Sequence, residues 1–242
     1  MLLAIDVGNT KVKAAVFENN TLLVKVIFSA NKFEESIEEI LKNHPQLQNM
    51  VVASVGKADK KAFSHFSSRL KIHFIQREDT FPFKNLYSSP ETLGIDRMVL
   101  AAGAVLQYPK KNRLVIDAGT CVTYDFIDEN DCYLGGAISP GIRLRYEALH
   151  NYTANLPLLA KENPMGSIGD STNESIHSGV VNGITHEIDG FISTYLNAHQ
   201  NFIIILTGGD TEFLANRLKN IIFANPNFLL ESLNQLFQNN QK

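Results

Sequence analysis

A short motif that occurs twice limits the possible folds of this sequence more than any other feature. L-L-A-I-D-V-G-N-T at 2–10 returns as L-V-I-D-A-G-T at 114–120, and a β-rich stretch follows each copy, at 12–17 and at 121–127. An apolar run, a tight glycine turn and a second apolar run predict a β-hairpin. The two copies lie 111 residues apart, about the length of one small domain. The repeat therefore indicates a chain built from two related halves.

Strand-like and helix-like segments alternate in both halves, which predicts an α/β fold. We assign the first domain to residues 1–110 and the second to 111–242, with the boundary at Y-P-K-K-N. Ser171 and Glu174 form a predicted capping box at a helix start. The other predicted elements are strands at 21–28, 49–55 and 202–210, helices at 33–42, 59–70, 95–106, 142–150 and 171–197, a long loop at 77–92, a glycine- and proline-rich turn at 135–141, and a last helix starting at Asn225–Pro226.

Charge and composition exclude several classes of protein. The 242 residues include 22 Lys+Arg and 25 Asp+Glu, for a net charge of −3, which excludes a strongly basic nucleic-acid binder. Two cysteines, Cys121 and Cys132, are too few for a disulfide framework or a cysteine-based zinc site, and we favour two reduced thiols over one bridge. The apolar run Phe202–Leu206 is far shorter than a membrane span. We expect a soluble, cytoplasmic protein that binds no membrane.

The residues of the repeated hairpin suit phosphate binding. Gly8 lets the backbone approach an anion, and the amides of the turn can point at its oxygens. Thr10 can add a hydroxyl and Lys13 a positive charge, while Asp6 can hold Mg²⁺ through water. A plain hairpin with a solvated Asp6 is the alternative, and one copy alone favours it. Two copies, with T-G-G-D at 207–210, favour phosphate binding, and neither a Walker A motif nor G-x-G-x-x-G occurs.

A second candidate site is L-G-I-D-R at 93–97, at the start of a predicted helix. Asp96 could take a proton from a hydroxyl nucleophile, and Arg97 could bind a carboxylate or phosphate with two hydrogen bonds. The alternative is an aspartate that favours the helix dipole beside an exposed arginine. Spacing alone favours that alternative. Further along, Arg143 and Arg145 fit an anion sensor and the solvated side of a helix equally well.

These motifs together resemble the sugar kinase, actin and heat-shock ATPase superfamily. That resemblance implies duplicated ribonuclease-H-like (actin-like ATPase) domains with mixed β-sheets and a nucleotide cleft between them. Within the superfamily the chain resembles the type III pantothenate kinases. The matching segments, in order, are 6–13, 93–97, 117–125, 134–141, 171–179 and 206–210. The G-x-D-R and L-G-G-x-I-x-P-G segments are the most specific of these.

The resemblance implies ATP-dependent phosphorylation of pantothenate to 4′-phosphopantothenate, the first step of coenzyme A biosynthesis. It also implies a homodimer and a monovalent cation, K⁺ or NH₄⁺, held by Asp117. Cys121 stands where the family often has alanine, and thiol-sensitive activity would follow from it. The implied general base is Asp96. The implied ATP-binding residues are Asp6, Val7, Gly8, Asn9, Thr10, Lys11, Val12, Lys13 and Thr120, and the implied substrate-binding residues are Tyr87, Gly94, Ile95, Asp96, Arg97 and Thr172.

Two alternatives stay open at this point. One is a non-catalytic nucleotide-binding regulator with the same fold, and the presence of Asp6, Asp96, Arg97, Asp117 and Thr120 disfavours it. The other is a kinase for another small hydroxyl substrate, or a phosphatase of the superfamily, which the short chain and the G-I-D-R segment disfavour. Fold similarity alone would not decide between them.

Overall fold

A computed structural model describes residues 1–8, 10–54 and 60–241. The strands are β1 (Leu2–Val7), β2 (Val12–Glu18), β3 (Thr21–Phe28), β4 (Asn49–Ser54), β5 (Lys71–Phe74), β6 (Lys84–Asn85), β7 (Asn112–Ala118), β8 (Cys121–Ile127), β9 (Cys132–Pro140), β10 (Phe202–Thr207) and β11 (Phe223–Ala224). The helices are α1 (Phe33–Asn43), α2 (Lys60–Ser64), α3 (Ile95–Gln107), α4 (Ile142–Asn151), α5 (Thr172–His177), α6 (Gly183–Ala198), α7 (Thr211–Ala215) and α8 (Phe228–Asn239), with a π-helix at Ser178–Asn182.

Contacts between Cα atoms divide the chain into two compact units. Unit 1 comprises Met1–Pro109, Asp131–Tyr133 and Asn227–Lys242, and unit 2 comprises Lys110–Asn130 and Leu134–Pro226. The last helix, α8, therefore groups with unit 1, because it packs on α3, β1, β4 and β2. The domain boundary predicted at residue 110 puts α8 in the second domain. Contact units are not the same as folding domains, so that boundary stays a prediction.

The two units contain sheets of the same topology, which confirms the duplicated, mixed α/β fold. In unit 1 the strand order is β3-β2-β1-β4-β5, with β2 antiparallel to β1 and β3, and β4 parallel to β1 and β5. The second sheet has the order β6-β9-β8-β7-β10-β11, with β7 antiparallel to β8 and β10 parallel to β7 and β11. Apart from the two-residue strand β6, its strand order matches that of the first sheet. Each repeated motif forms the central strand, its turn and the adjacent antiparallel strand.

The central position of β1 and β7 explains their composition. A strand with neighbours on both sides and helices over its faces is buried throughout, so it is a continuous apolar run rather than an alternating one. Leu3, Ile5, Leu114 and Ile116 are fully buried. In unit 1 the apolar side of α1 packs against the sheet through the predicted residues, Phe33, Ile37, Ile40 and Leu41. No helix in the described ranges is both long and apolar enough to cross a bilayer.

Several element predictions differ from the structure. The helix predicted at 59–70 is described only from Lys60 to Ser64 and gives way to turns, and Asp59 lies outside the described residues. The turn predicted at 135–141 is largely strand β9, whose side chains alternate in burial although its glycines and proline suggested a turn. The helix predicted at 171–197 begins at the Ser171 cap, where the Ser171 hydroxyl accepts a bond from the Glu174 amide, and contains the π-helix.

Candidate functional site

In unit 1 the first hairpin places a buried carboxylate beside a lysine. Asp6, the penultimate residue of β1, is 4% exposed and lies opposite Lys13 in the register of β1 and β2. The Lys13 Nζ atom lies 3.6 Å from Asp6 Oδ2. Burial raises the pKa of Asp6 to about 6; Lys13 opposes this shift and the charge of Asp96 adds to it. Asp6, Lys13 and Asp96 therefore form one electrostatic group.

The turn of this hairpin is closed by a hydrogen bond from the Gly8 amide to the Lys11 carbonyl, 3.2 Å long. Thr10 and Lys11 are exposed and Val7 is half-buried, whereas the Val12 side chain is 1% exposed and belongs to the core. Val12 can thus offer a ligand only backbone atoms. Asn9, the other predicted member of the loop, lies outside the described residues.

The raised pKa of Asp6 predicts a pH-dependent stability. The folded protein holds this proton more tightly than the unfolded chain, so protonation favours the folded state. Between pH 3.8 and about 6, ionisation of Asp6 should lower the free energy of unfolding by up to about 3 kcal/mol. Asp6→Asn should lack this component, and urea unfolding of both proteins across that range measures it. Parallel curves for the two proteins would contradict the assignment.

The second candidate segment of unit 1 lies at the N-terminus of α3. Gly94 is the N-cap residue, and Asp96, half-buried in the first turn, accepts a 2.8 Å hydrogen bond from the Arg97 amide through Oδ1. Arg97 is 6% exposed, which excludes the alternative of an exposed arginine. Its guanidinium carbon lies 5.8 Å from the centre of the Tyr87 ring. The structure therefore brings Tyr87, Asp96 and Arg97 together, with Ile95 turned into the core.

In unit 2 the second hairpin follows the same plan. Asp117 precedes the turn, which a 2.9 Å bond from the Gly119 amide to the Cys121 carbonyl closes. Gly141 donates a 3.0 Å hydrogen bond from its amide to the Thr120 carbonyl. On the other side, the Asp210 amide donates to the Ala118 carbonyl over 2.9 Å. The backbone of this hairpin is thus held from both flanking segments.

Thr172, the remaining predicted substrate residue, is the exposed first residue of α5. It lines a cavity of about 1150 Å³, formed within unit 2 by the end of β9, α4, the following loop, α5 and the π-helix. Tyr152, which lines the cavity, is exposed, and so are Met165 and Ile168 in the segment between α4 and α5.

The described residues offer few ligands for a metal ion. Within residues 1–8, 10–54 and 60–241, no group of three or more histidine, cysteine and acidic side chains is placed to hold a metal. Mg²⁺ in phosphate-transfer sites needs only one or two carboxylates, since waters and phosphate oxygens complete its shell. Asp6 fits that role. Its raised pKa shows that Lys13 offsets only part of the cost of burying the Asp6 carboxylate, so a bound cation would stabilise the ionised form further.

Two glycines that support the second hairpin were absent from the predicted site, although the motifs containing them were identified. Gly141 belongs to L-G-G-A-I-S-P-G and Gly208 to L-T-G-G-D. A β-carbon on Gly141 would lie 2.1 Å from the Gly119 carbonyl oxygen. A β-carbon on Gly208 would lie 2.4 Å from Asp117 Oδ1. Only the folded chain reveals these approaches, because Gly141 lies 22 positions from Gly119 and Gly208 lies 91 positions from Asp117 in the sequence.

The chain is similar in sequence to known proteins over most of its length. The sequence profile of the type III pantothenate kinase family matches residues 2–194. The chain is 64% identical to the type III pantothenate kinase of Flavobacterium johnsoniae, over 98% of each protein. It is 47% identical to that of Christiangramia forsetii, over 100% of this chain and 99% of the other.

Solved structures resemble this one at the level of the fold. A conserved putative Baf family transcriptional activator from Campylobacter jejuni superimposes with a TM-score of 0.67 at 22% identity, over 99% of this chain and 98% of the other. Component A of the (R)-2-hydroxyglutaryl-CoA dehydratase of Acidaminococcus fermentans superimposes with a TM-score of 0.56 at 13% identity, over 100% and 99%. These likenesses concern the actin-like ATPase and sugar kinase fold alone.

Proposed function

We propose that this chain, which belongs to the type III pantothenate kinase family, transfers the γ-phosphoryl group of ATP to the primary hydroxyl of pantothenate. The observation that carries the proposal is the group at the start of α3. A half-buried carboxylate, Asp96, stands next to a buried guanidinium, Arg97, with Tyr87 against it. A hydroxyl substrate that also bears a carboxylate matches this pair, since one group can accept a proton and the other can bind an anion.

The proposed reaction is an in-line displacement, for which positioning and charge stabilisation supply most of the catalysis. Asp96 accepts the proton of the attacking hydroxyl as the bond to phosphorus forms. Arg97 and Tyr87 orient pantothenate, the backbone at Gly94 and Ile95 borders it, and Thr172 contacts it. The hydrogen bond from the Arg97 amide holds the Asp96 carboxylate in place.

We propose that residues of the hairpin turns bind ATP. The backbone from Val7 to Val12, including Asn9, supplies amides for the phosphates, and Thr10, Lys11, Lys13 and Thr120 supply polar side chains. Asp6 would hold Mg²⁺ through water, and Mg²⁺ bound there neutralises charge on the phosphate oxygens. Ionised Asp6 is needed for this, so its raised pKa predicts weaker ATP binding below about pH 6.

Asp117 is proposed to hold K⁺ or NH₄⁺, and this predicts a cation requirement. Asp117 is the penultimate residue of the central strand of unit 2, and its carboxylate lies beside the tightly packed Gly208. We expect turnover in Mg²⁺ and potassium or ammonium, a large loss in sodium alone, and no response to potassium in Asp117→Asn. Steady-state rates at constant ionic strength measure this. Equal rates in sodium and potassium would contradict the proposed monovalent-cation site at Asp117.

We also propose a homodimer, supported by large apolar side chains that are exposed in unit 2, one of which lines the Thr172 cavity. Tyr152, Met165 and Ile168 are 89%, 90% and 88% exposed. Large apolar side chains that a monomer leaves exposed often lie at association sites when they form a patch. Light scattering of the purified protein gives its mass in solution, and a monomer at all concentrations used in assays would contradict the proposal.

A substrate panel tests the function itself. Release of ADP from MgATP should require pantothenate and should not respond to a sugar or another small hydroxyl compound. Turnover with a different hydroxyl compound would assign another substrate within the superfamily. Intact ATP binding without turnover on any of them would favour the non-catalytic regulator.

A further inference from the structure

Arg145 on α4 is held by three oxygen atoms of unit 2. Its Nε donates to the Pro140 carbonyl over 2.9 Å, and its Nη2 donates to Ser139 Oγ over 3.0 Å and to Glu187 Oε2 over 2.5 Å. The side chain is 20% exposed. The sequence left Arg145 undecided between an anion sensor and the solvated side of a helix. In the structure its guanidinium is engaged by the protein itself.

Glu187 on α6, which binds this guanidinium, is itself held in place by a second hydrogen bond. Its second oxygen, Oε1, accepts a 3.0 Å hydrogen bond from the hydroxyl of Tyr124, which is fully buried in β8. The Tyr124 ring stacks on Phe191, with 4.1 Å between ring centres. Burial would raise the pKa of Glu187, but hydrogen bonds from Arg145, Ser139 and Tyr124 lower it below its ordinary value. The carboxylate is therefore ionised at neutral pH and pairs with a charged arginine.

The bond to Pro140 connects this pair to the second hairpin through a single peptide group. The carbonyl of that peptide, from Pro140, accepts from Arg145, and its N–H, from Gly141, donates to the Thr120 carbonyl. A peptide unit is planar, so fixing its oxygen also fixes the direction of its N–H. At Gly141 the packing is close, because a β-carbon there would lie 2.5 Å from the Thr120 oxygen. Rotation of this peptide would thus move the hairpin backbone.

We propose that Arg145, paired with Glu187, is a positioning residue for the hairpin at 117–121. By holding the Pro140 carbonyl, Arg145 orients the 140–141 peptide, and that peptide keeps Gly119 and Thr120 in the conformation that accepts phosphate. The identity of the ligand as ATP rests on the proposed function. Neither Arg145 nor Glu187 is required to touch ATP or pantothenate.

The test separates binding of the two substrates. Arg145→Gln should raise KM for ATP and the dissociation constant of MgATP, measured by calorimetry, by about tenfold, since small displacements in a site have effects of that order or larger. KM for pantothenate should stay within about twofold. Arg145→Lys keeps a donor and the charge facing Glu187 and should recover part of the loss. Glu187→Gln should shift the ATP constants in the same direction, and the double variant should be no worse than Arg145→Gln alone.

Arg69→Gln is the matched control, since it removes an exposed ion pair with Glu38 in unit 1 and should change neither constant. A higher KM for pantothenate with unchanged MgATP binding would overturn the proposal and make Arg145 a direct anion binder. Arg145 and Glu187 variants that match Arg69→Gln would also overturn it. If Arg145→Gln does not fold, the KM for ATP and the MgATP dissociation constants of Arg145→Lys and Glu187→Gln test the proposal instead. If the wild-type protein does not phosphorylate pantothenate, the proposed function fails, while the MgATP measurements still test the positioning role.

Discussion

Replacing Asp96 by asparagine is expected to lower kcat by about two to four orders of magnitude, the usual contribution of a general base. Asparagine keeps the size of the side chain and can still accept the hydrogen bond from the Arg97 amide. It cannot take the proton of the attacking hydroxyl at neutral pH. Because the change leaves both hairpins intact, the dissociation constant of MgATP should stay near the wild-type value.

The matched control for this variant is Glu91→Gln, an exposed carboxylate in the turn before α3. It exchanges the same chemical groups a short distance along the same segment and should leave kcat unchanged. Near-wild-type turnover by Asp96→Asn would refute the base assignment. A fall in kcat accompanied by loss of MgATP binding would instead indicate a structural role for Asp96 through its charge interaction with Asp6.

Gly208→Ala is expected to destabilise unit 2 strongly. Gly208 has a φ of +100°, a backbone conformation that alanine adopts only at a cost. Its added carbon would also lie 2.4 Å from the Ala118 carbonyl oxygen and 2.4 Å from Asp117 Oδ1. We expect a loss of about 2–4 kcal/mol in the free energy of unfolding. Any folded fraction should have lost its response to potassium, since the Asp117 carboxylate must move.

The neighbouring residue provides the control for stability. A β-carbon on Gly209 would meet no atom within 4 Å, and its φ is not in the left-handed region. Gly209→Ala should therefore change the free energy of unfolding by no more than about 0.5 kcal/mol. Urea unfolding of the two variants compares them directly. Equal stability would show that the turn after β10 accommodates a side chain at Gly208.

The repeated motif made the fold predictable because it encodes both the strands and their pairing. Each copy contains two apolar runs too close together for anything but a hairpin, and the structure has antiparallel pairs at both places. The apolar face of α1 follows from helical spacing, and all four predicted residues are buried. These predictions rest on local sequence periodicity, which tertiary packing did not override.

Other features depend on contacts between distant residues. The strand β9 was predicted as a turn because its glycines and proline suggest one, and its place beside β8 depends on tertiary packing. The grouping of α8 with unit 1 depends on its packing against α3. No local pattern in the sequence reports either fact.

The candidate site, like the fold, was predictable from the sequence only in part. Motif spacing identified Asp6, Lys13 and Asp96, and the structure shows that their charges interact. The burial of Arg97 contradicts the exposed arginine that spacing alone favoured. Arg145 and Glu187 lie 42 residues apart on different helices, so only the structure reveals that they pair.

The most direct test of the central claim is the mass of the product. Purified protein is incubated with pantothenate, MgATP and potassium, and the mixture is analysed by mass spectrometry. We expect pantothenate to gain the mass of one phosphoryl group and one ADP to appear for each product molecule. Unchanged pantothenate, with ATP intact or with ADP formed at the same rate in its absence, would contradict the proposed function.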